Sequence, residues 1–221
     1  MLQFDQNDKY GHKFKERAQW SFTDEQNEQI RNDLIRAARR CGITIGMRKT
    51  SVEQLTEAVG ISKGSFYKFF ESKELLFFAV LEDIHTECFA AAQKSLQENT
   101  ALLPADRAAA SILAACRWLS KTKAFVFIEN DADFLLHRLP EEVKTAHYQR
   151  WRDAHPYCWR WAACSPRTVW RWLPPQCGAW ILTVSHQEQI GVLYPQVLET
   201  LVRGAAGSVY NKTLVSCMEC C

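Results

Sequence analysis

Lys63, Gly64, Ser65 and Lys68 stand together at the head of a short apolar-faced stretch, and their types suit one kind of chemistry. Two ammonium groups around two of the smallest side chains make a low, positive surface that the major groove of duplex DNA can admit. Lys63 can donate to guanine O6 and N7, while Gly64 and Ser65 let the backbone approach the base edges. Thr50, Ser51, Ser62, Tyr67 and Lys73 surround them and are expected to fix the register on the sugar-phosphate backbone, with Arg48 adding positive charge. A lysine such as Lys73, set where a helix begins, is suited to phosphate because exposed N–H groups and the positive helix end favour an anion.

The elements that must position these residues follow from capping rules. Ser51 and Gln54 form a capping box, and Val52, Leu55 and Val59 continue from it as an apolar stripe at helical spacing. Gly60 ends that helix, because glycine takes the left-handed conformation without a Cβ penalty. Ser62 caps the next helix, whose buried side is Phe66, Phe69 and Phe70. Two helices joined by a glycine-bearing turn are a helix-turn-helix, the second lying in the groove with its leading residues at the bases. A second capping box, Thr23 and Gln26, opens a preceding helix of about 24–41 with Ile30, Leu34, Ala37, Ala38 and Cys41 inward. Residues 42–46 are then the connection to the hairpin.

The run from Thr50 through Val59-Gly60-Ile61-Ser62-Lys63-Gly64-Ser65-Phe66-Tyr67 to Lys73 and Leu76 resembles the N-terminal signature of the TetR family of bacterial transcriptional repressors. The resemblance covers about residues 28–78. Thr56 departs from it, standing where the family usually has alanine; a hydroxyl bonded back to a helix carbonyl would accommodate it. The resemblance implies an all-α fold, with an N-terminal three-helix DNA-binding domain and a C-terminal helical ligand-binding and dimerisation domain. It also implies a homodimer on a palindromic operator, a small-molecule effector, and Lys73 at a backbone-contacting position.

Charge agrees with a DNA reader. The whole chain of 221 residues carries a net charge of only +2. Between residues 36 and 73, however, eight basic side chains stand against three acidic ones, a local +5. Hydrophobic residues at 47% and charged ones at 24% are those of a globular protein. Residues 1–17 are too polar for a secretory leader and no apolar run is long enough to span a bilayer, so a cytoplasmic protein without a membrane partner is expected.

Beyond the reading hairpin the period stays helical. A long helix of about 73–97 carries Leu76, Val80, Ile84, Cys88 and Ala91 on one stripe, with Ser72 as its cap; it belongs to both halves, and its tilt would move the hairpin. Helices of about 105–120, 124–139 and 141–153 follow. Trp118, Phe125, Phe127, Phe134 and Tyr148 are candidates to line an effector pocket, each with ordinary core packing as the alternative. The last ordered stretch, from residue 179, ends in a helix with an apolar stripe too wide for a lone surface helix. Ile181, Val184, Leu193, Val197, Leu198 and Leu201 are accordingly candidates for pairing with a second copy.

The domain boundaries read as a polar arm over 1–22, the DNA-binding domain over 23–70, the regulatory domain over 71–210 and a cysteine-bearing tail over 211–221. The arm is either loosely packed or adds groove contacts. Residues 154–178 break every period, and six of the eight tryptophans fall between Trp151 and Trp180. Such a run of Trp, Arg, Cys and Pro reads as translation out of frame, with an aromatic or cation–π surface as the alternative.

Nine cysteines without a leader are thiols or ligands rather than a disulfide framework. Cys217-x-x-Cys220, with Cys221, is a half-site for a soft metal, but no histidine stands at ligand spacing to it. A thiol- or metal-responsive regulator is therefore the alternative to ligand response, and a degenerate helical interaction protein is another. The chain lacks a phosphate-cradling glycine loop, a nucleophile elbow and a His-Glu metal helix, and its carboxylates fall on expected solvent faces. No enzyme, no cofactor and no resident metal are expected.

Overall fold

Helix α1 (Asp24–Thr44) begins where Thr23 and Gln26 exchange hydrogen bonds. Thr23 Oγ1 accepts from the Gln26 N–H at 3.2 Å, and Gln26 Oε1 accepts from the Thr23 N–H at 2.9 Å. The computed structural model describes residues 23–154, 183–184 and 186–218. The arm 1–22, the irregular stretch from residue 155 through 178, Ile181, Cys220 and Cys221 lie outside the described residues.

α1 runs past Cys41, where the sequence reading ends it. Gly42 lies inside the helix, and a Cβ on it would stand 2.9 Å from Phe127 Cδ2. The glycine is thus a place for an aromatic ring rather than a stop signal. α2 (Val52–Val59) and α3 (Lys63–Phe69) are joined through Gly60, at φ 76°. α2 starts on the Ser51–Gln54 box, and the Thr56 hydroxyl donates to the carbonyls of Val52 and Glu53, both at 3.0 Å. The expected back-bonding of that buried threonine is therefore present.

α4 (Lys73–Glu98), capped by Ser72, and α5 (Pro104–Thr122), with proline in its first turn, pack together along most of their length. α1 lies on the first part of α4 and on α2. Lys123, at φ 55°, turns the chain from α5 into α6 (Ala124–Phe127). The single helix expected over 124–139 is interrupted. A π-helical turn, Ile128–Ala132, separates α6 from α7 (Asp133–Leu136) and carries Asp131 inward, where it is 1% exposed. The expectation that the carboxylates lie on solvent faces is corrected here. α8 (Glu141–Ala154) follows.

At the other end, α9 (Gln187–Ile190) and a 3₁₀ turn (Gly191–Leu193) lead into α10 (Tyr194–Met218). α10 continues through residues 211–218, which the sequence reading sets apart as a tail, and packs on α5. Together with the turn before it, it carries two apolar rows. Tyr194, Leu198, Val202 and Ala206 are buried in the core, whereas Leu193, Val197 and Leu201 are exposed. Val184 and Leu198, expected at a subunit interface, are therefore part of the chain's own interior. The reason is register: Leu198 is one residue on from Val197, about 100° around the helix, and faces α5 instead of solvent.

One continuous core runs through both halves, from Leu34, Leu55 and Phe66 through Leu76, Phe77 and Ile84 to Leu113, Leu119 and Leu198. α4 contributes to all of it. The three-helix module is accordingly seated on the body, as its small size requires. Cys116 is a buried packing residue whose thiol burial pushes up to about 11, so it stays protonated and unreactive. No strand and no helix long and apolar enough to cross a membrane occur among the described residues.

Candidate nucleic-acid interface

α3 is held at two points and exposed on its outer side. Phe66 is fully buried, with the Tyr67 ring edge-on to it at 5.2 Å and the Phe70 ring at 6.2 Å. Removing a buried phenylalanine of this kind costs about 3–5 kcal/mol, so the helix is fixed to its module by one ring. Its start is fixed by Ser62, whose Oγ accepts from the Ser65 N–H at 3.1 Å and lies 2.9 Å from Ser65 Oγ. What remains on the outer side is Lys63, Gly64, Tyr67 and Lys68, all exposed, with Ser65 half-buried between them.

Gly64 is informative because the fold does not need it. A Cβ there would meet only Ser62 Oγ, at 3.8 Å, an ordinary contact. Glycine inside a helix costs up to about 1 kcal/mol relative to alanine, and no neighbour among the described residues offsets that. A flat spot between two lysines on a rigid helix is a surface shaped for close approach by something outside the chain.

The surrounding charges are less free than the sequence implies. Lys63 pairs with Glu53, which raises the ammonium pKa and lowers that of the carboxyl, each chiefly through their mutual hydrogen bond. Both groups are exposed, so the pair exchanges readily with solvent or with another partner. Arg36 pairs with Asp33, and Arg39 makes a two-pronged contact to Glu87 at 2.6 and 3.0 Å. Lys49 and Lys68 are exposed and form no ion pair among the described residues.

Three of the expected DNA-contacting residues have internal duties. Thr50 is 1% exposed, and its hydroxyl donates to the Gly46 carbonyl at 2.8 Å. Lys73 Nζ donates to the carbonyls of Met47 and Thr50, at 3.1 and 2.9 Å. Arg48 Nε lies 3.3 Å from Asp131 Oδ1. Thr50 and Lys73 therefore shape the loop that enters α2, and their sequence positions are explained by that. Ser51 acts mainly as the α2 cap; its Oγ accepts from the Gln54 N–H at 3.1 Å.

Among the aromatic candidates for an effector pocket, Phe127 is fully buried against Phe77 and Gly42, a core position. Phe134 has the guanidinium groups of Arg48 and Arg138 over its ring, at 5.5 and 4.4 Å. Trp118 and Phe125 are half-buried, Trp118 under Arg39. Tyr148 stands in α8. No group of three metal-ligating side chains comes together among the described residues.

Sequence reasoning missed Asp131. Its signal was present: Phe127, Ile128, Phe134 and Leu135 stand four and three residues on either side of it. That is the centre of an apolar stripe.

Residues 34–80 match the family model for bacterial regulatory proteins of the tetR family. An HTH-type transcriptional repressor of Mycobacterium tuberculosis is 38% identical over 53 residues, which are 24% of this chain and 28% of that protein. The chain thus matches little more than a quarter of that curated relative's length. Among solved structures, superantigen PfiT superposes with a TM-score of 0.57 at 24% identity, covering 81% of this chain and 95% of that one. That likeness is one of fold. A TetR-like transcriptional regulator from Rhodococcus sp. RHA1 reaches a TM-score of 0.48 at 15% identity, over 84% and 96% of the two chains, too loose to add to it. The segment that carries the hairpin is thus similar to the N-terminal domain of tetR-family regulatory proteins, and the described residues around it are helical without a strand.

Proposed function

We propose that the chain is a transcriptional repressor that binds a palindromic operator as a homodimer and responds to a small molecule held in its helical body. The observation that carries the DNA-binding part is Gly64. It is a helix-weakening residue that the fold does not require, set between Lys63 and Lys68 on the exposed side of a helix anchored by Phe66. In this reading Lys63 and Ser65 contact base edges and Lys68 and Tyr67 contact the backbone. Thr50, Ser51, Ser62 and Lys73 hold the hairpin in shape, with Lys73 free to share its third N–H with a phosphate.

The exposed row Leu193, Val197 and Leu201 supports association with a second copy, since apolar side chains in sequence along one helix face are stabilised by removal from water. A two-fold pair would set two reading helices about one helical turn apart on one face of the duplex. Among the described candidates, the half-buried Trp118 and Phe125 are available to contact an effector.

Selection of bound duplexes from a random pool tests this directly. The account expects enrichment of a two-fold symmetric sequence. A pool that stays random after repeated selection would contradict it.

A further inference from the structure

Besides their shared core, the two halves of the chain meet at a buried carboxylate. Asp131 Oδ2 accepts from the Met47 N–H at 2.7 Å, and Oδ1 faces Arg48 Nε at 3.3 Å. Gly46, at φ 85°, comes so near that a Cβ on it would lie 3.1 Å from the same Oδ2. Residues 46–48 are the loop that leads from α1 into the reading hairpin. The same loop is gripped on its other side by Lys73 and closed on itself by the Thr50 hydroxyl.

One turn on from Asp131, Phe134 lies under both Arg48 and Arg138, and Arg138 reaches Glu74, in the first turn of α4, at 3.9 Å. Residues 131–138 therefore touch the hairpin at its entry and its exit. A carboxylate this deeply buried cannot be left without its partners except at large cost, so the π-helical turn and the loop move together. A π turn carries one residue more than the α-helix around it, and such turns recur at functional sites.

We propose that Asp131 is a positioning residue for DNA recognition: through Met47 and Arg48 it fixes the angle at which the body presents α2 and α3. The inference rests on the DNA-binding reading above and deepens it. Arg48 then serves Asp131 instead of a phosphate. A displacement of the 128–134 segment within the body reaches the hairpin by this contact as well as by a tilt of α4.

Amide exchange on the full chain tests it, with Asp131→Ala and Asp131→Asn. Alanine leaves the Met47 N–H without its acceptor. Exchange at Met47 should accelerate about tenfold to a hundredfold, while amides around Leu113 and Leu119 keep their wild-type rates. Asparagine keeps an acceptor but loses the charge facing Arg48, so its local acceleration should be smaller, about threefold. In parallel, discrimination between selected and random duplexes should fall in the order wild type, Asn, Ala, at temperatures well below unfolding.

Unchanged exchange at Met47 in the alanine chain would overturn the proposal, as would equal acceleration throughout α5. Should the alanine chain fail to fold, the asparagine chain decides: no local change at Met47 overturns it. Because exchange needs no DNA, a wild-type chain that binds no duplex would remove the repressor reading and leave the contact itself still judged by its amides.

Discussion

Two exposed helix faces on this molecule differ in what they lack. The outer side of α3 lacks bulk: Gly64 and Ser65 lie between Lys63 and Lys68, and its one large side chain, Tyr67, is 52% exposed. The outer row of α10 lacks charge: Leu193 is 56% exposed and Leu201 51%, with Val197 between them. Positive charge on a flat surface suits a polyanion, and its pull falls with salt. Exposed aliphatic side chains suit another protein surface. The same chain thus offers two different invitations, and each can be withdrawn without touching the other.

The largest effect is expected from α10. Val197→Glu with Leu201→Glu should leave the monomer folded, since both side chains are exposed on it, while the melting temperature should lose its rise with protein concentration. Association into dimers should be lost, and affinity for a two-fold symmetric duplex should fall about a hundredfold or more, because the second half-site no longer adds to the first. Sedimentation and titration of one labelled duplex measure both. A variant that stays dimeric would remove this row from the interface.

Acid should act on the body. Burial, reinforced by His147, pushes the His85 imidazole down to about 4. Its folded pKa therefore lies below the unfolded value, so the unfolded chain binds the extra proton as pH falls. The penalty is absent above about pH 6.5 and grows to roughly 3 kcal/mol by about pH 4. His85→Phe should flatten unfolding free energy against pH in that window. An unchanged slope would exclude His85 as its origin.

The next effect separates function from fold at α3. Gly64→Ala should raise stability by up to about 1 kcal/mol, because the added methyl group meets only Ser62 Oγ. Duplex affinity should fall about tenfold, as close approach is lost. Opposite signs in denaturant melts and DNA titrations are the signature; losses in both would mean that the glycine serves the fold after all.

The smallest effect concerns Glu53, which holds Lys63 on the surface. Glu53→Gln should tighten binding to all duplexes a few-fold, as a lysine is released and an anion removed. Equilibrium titration at low salt would register it, and weaker binding would mean that the pair positions Lys63 productively.

What could be read from the sequence was what local rules decide. The Ser51–Gln54 and Thr23–Gln26 boxes, the left-handed Gly60 and the Ser62 and Ser72 caps each depend on residues within four positions, and all are present. What escaped depends on contacts made across the chain. Gly42 read as the start of the connection, yet it stays helical, and Phe127, eighty-five positions away, fills the space of its missing side chain. Thr50 and Lys73 carried the right types for phosphate, but types alone do not reveal that the Gly46 and Met47 carbonyls claim them first. In α10 the apolar stripe was legible, whereas its division between α5 and solvent depends on where α5 lies.

The central claim is that the leading face of α3 reads base sequence. Fluorescence anisotropy with a selected duplex and a random one, each for wild type and Lys63→Ala over a range of salt, tests it most directly. The account predicts that Lys63→Ala costs about 1–3 kcal/mol on the selected duplex and much less on the random one. Equal losses on both duplexes would contradict it, leaving Lys63 as one more charge near the backbone.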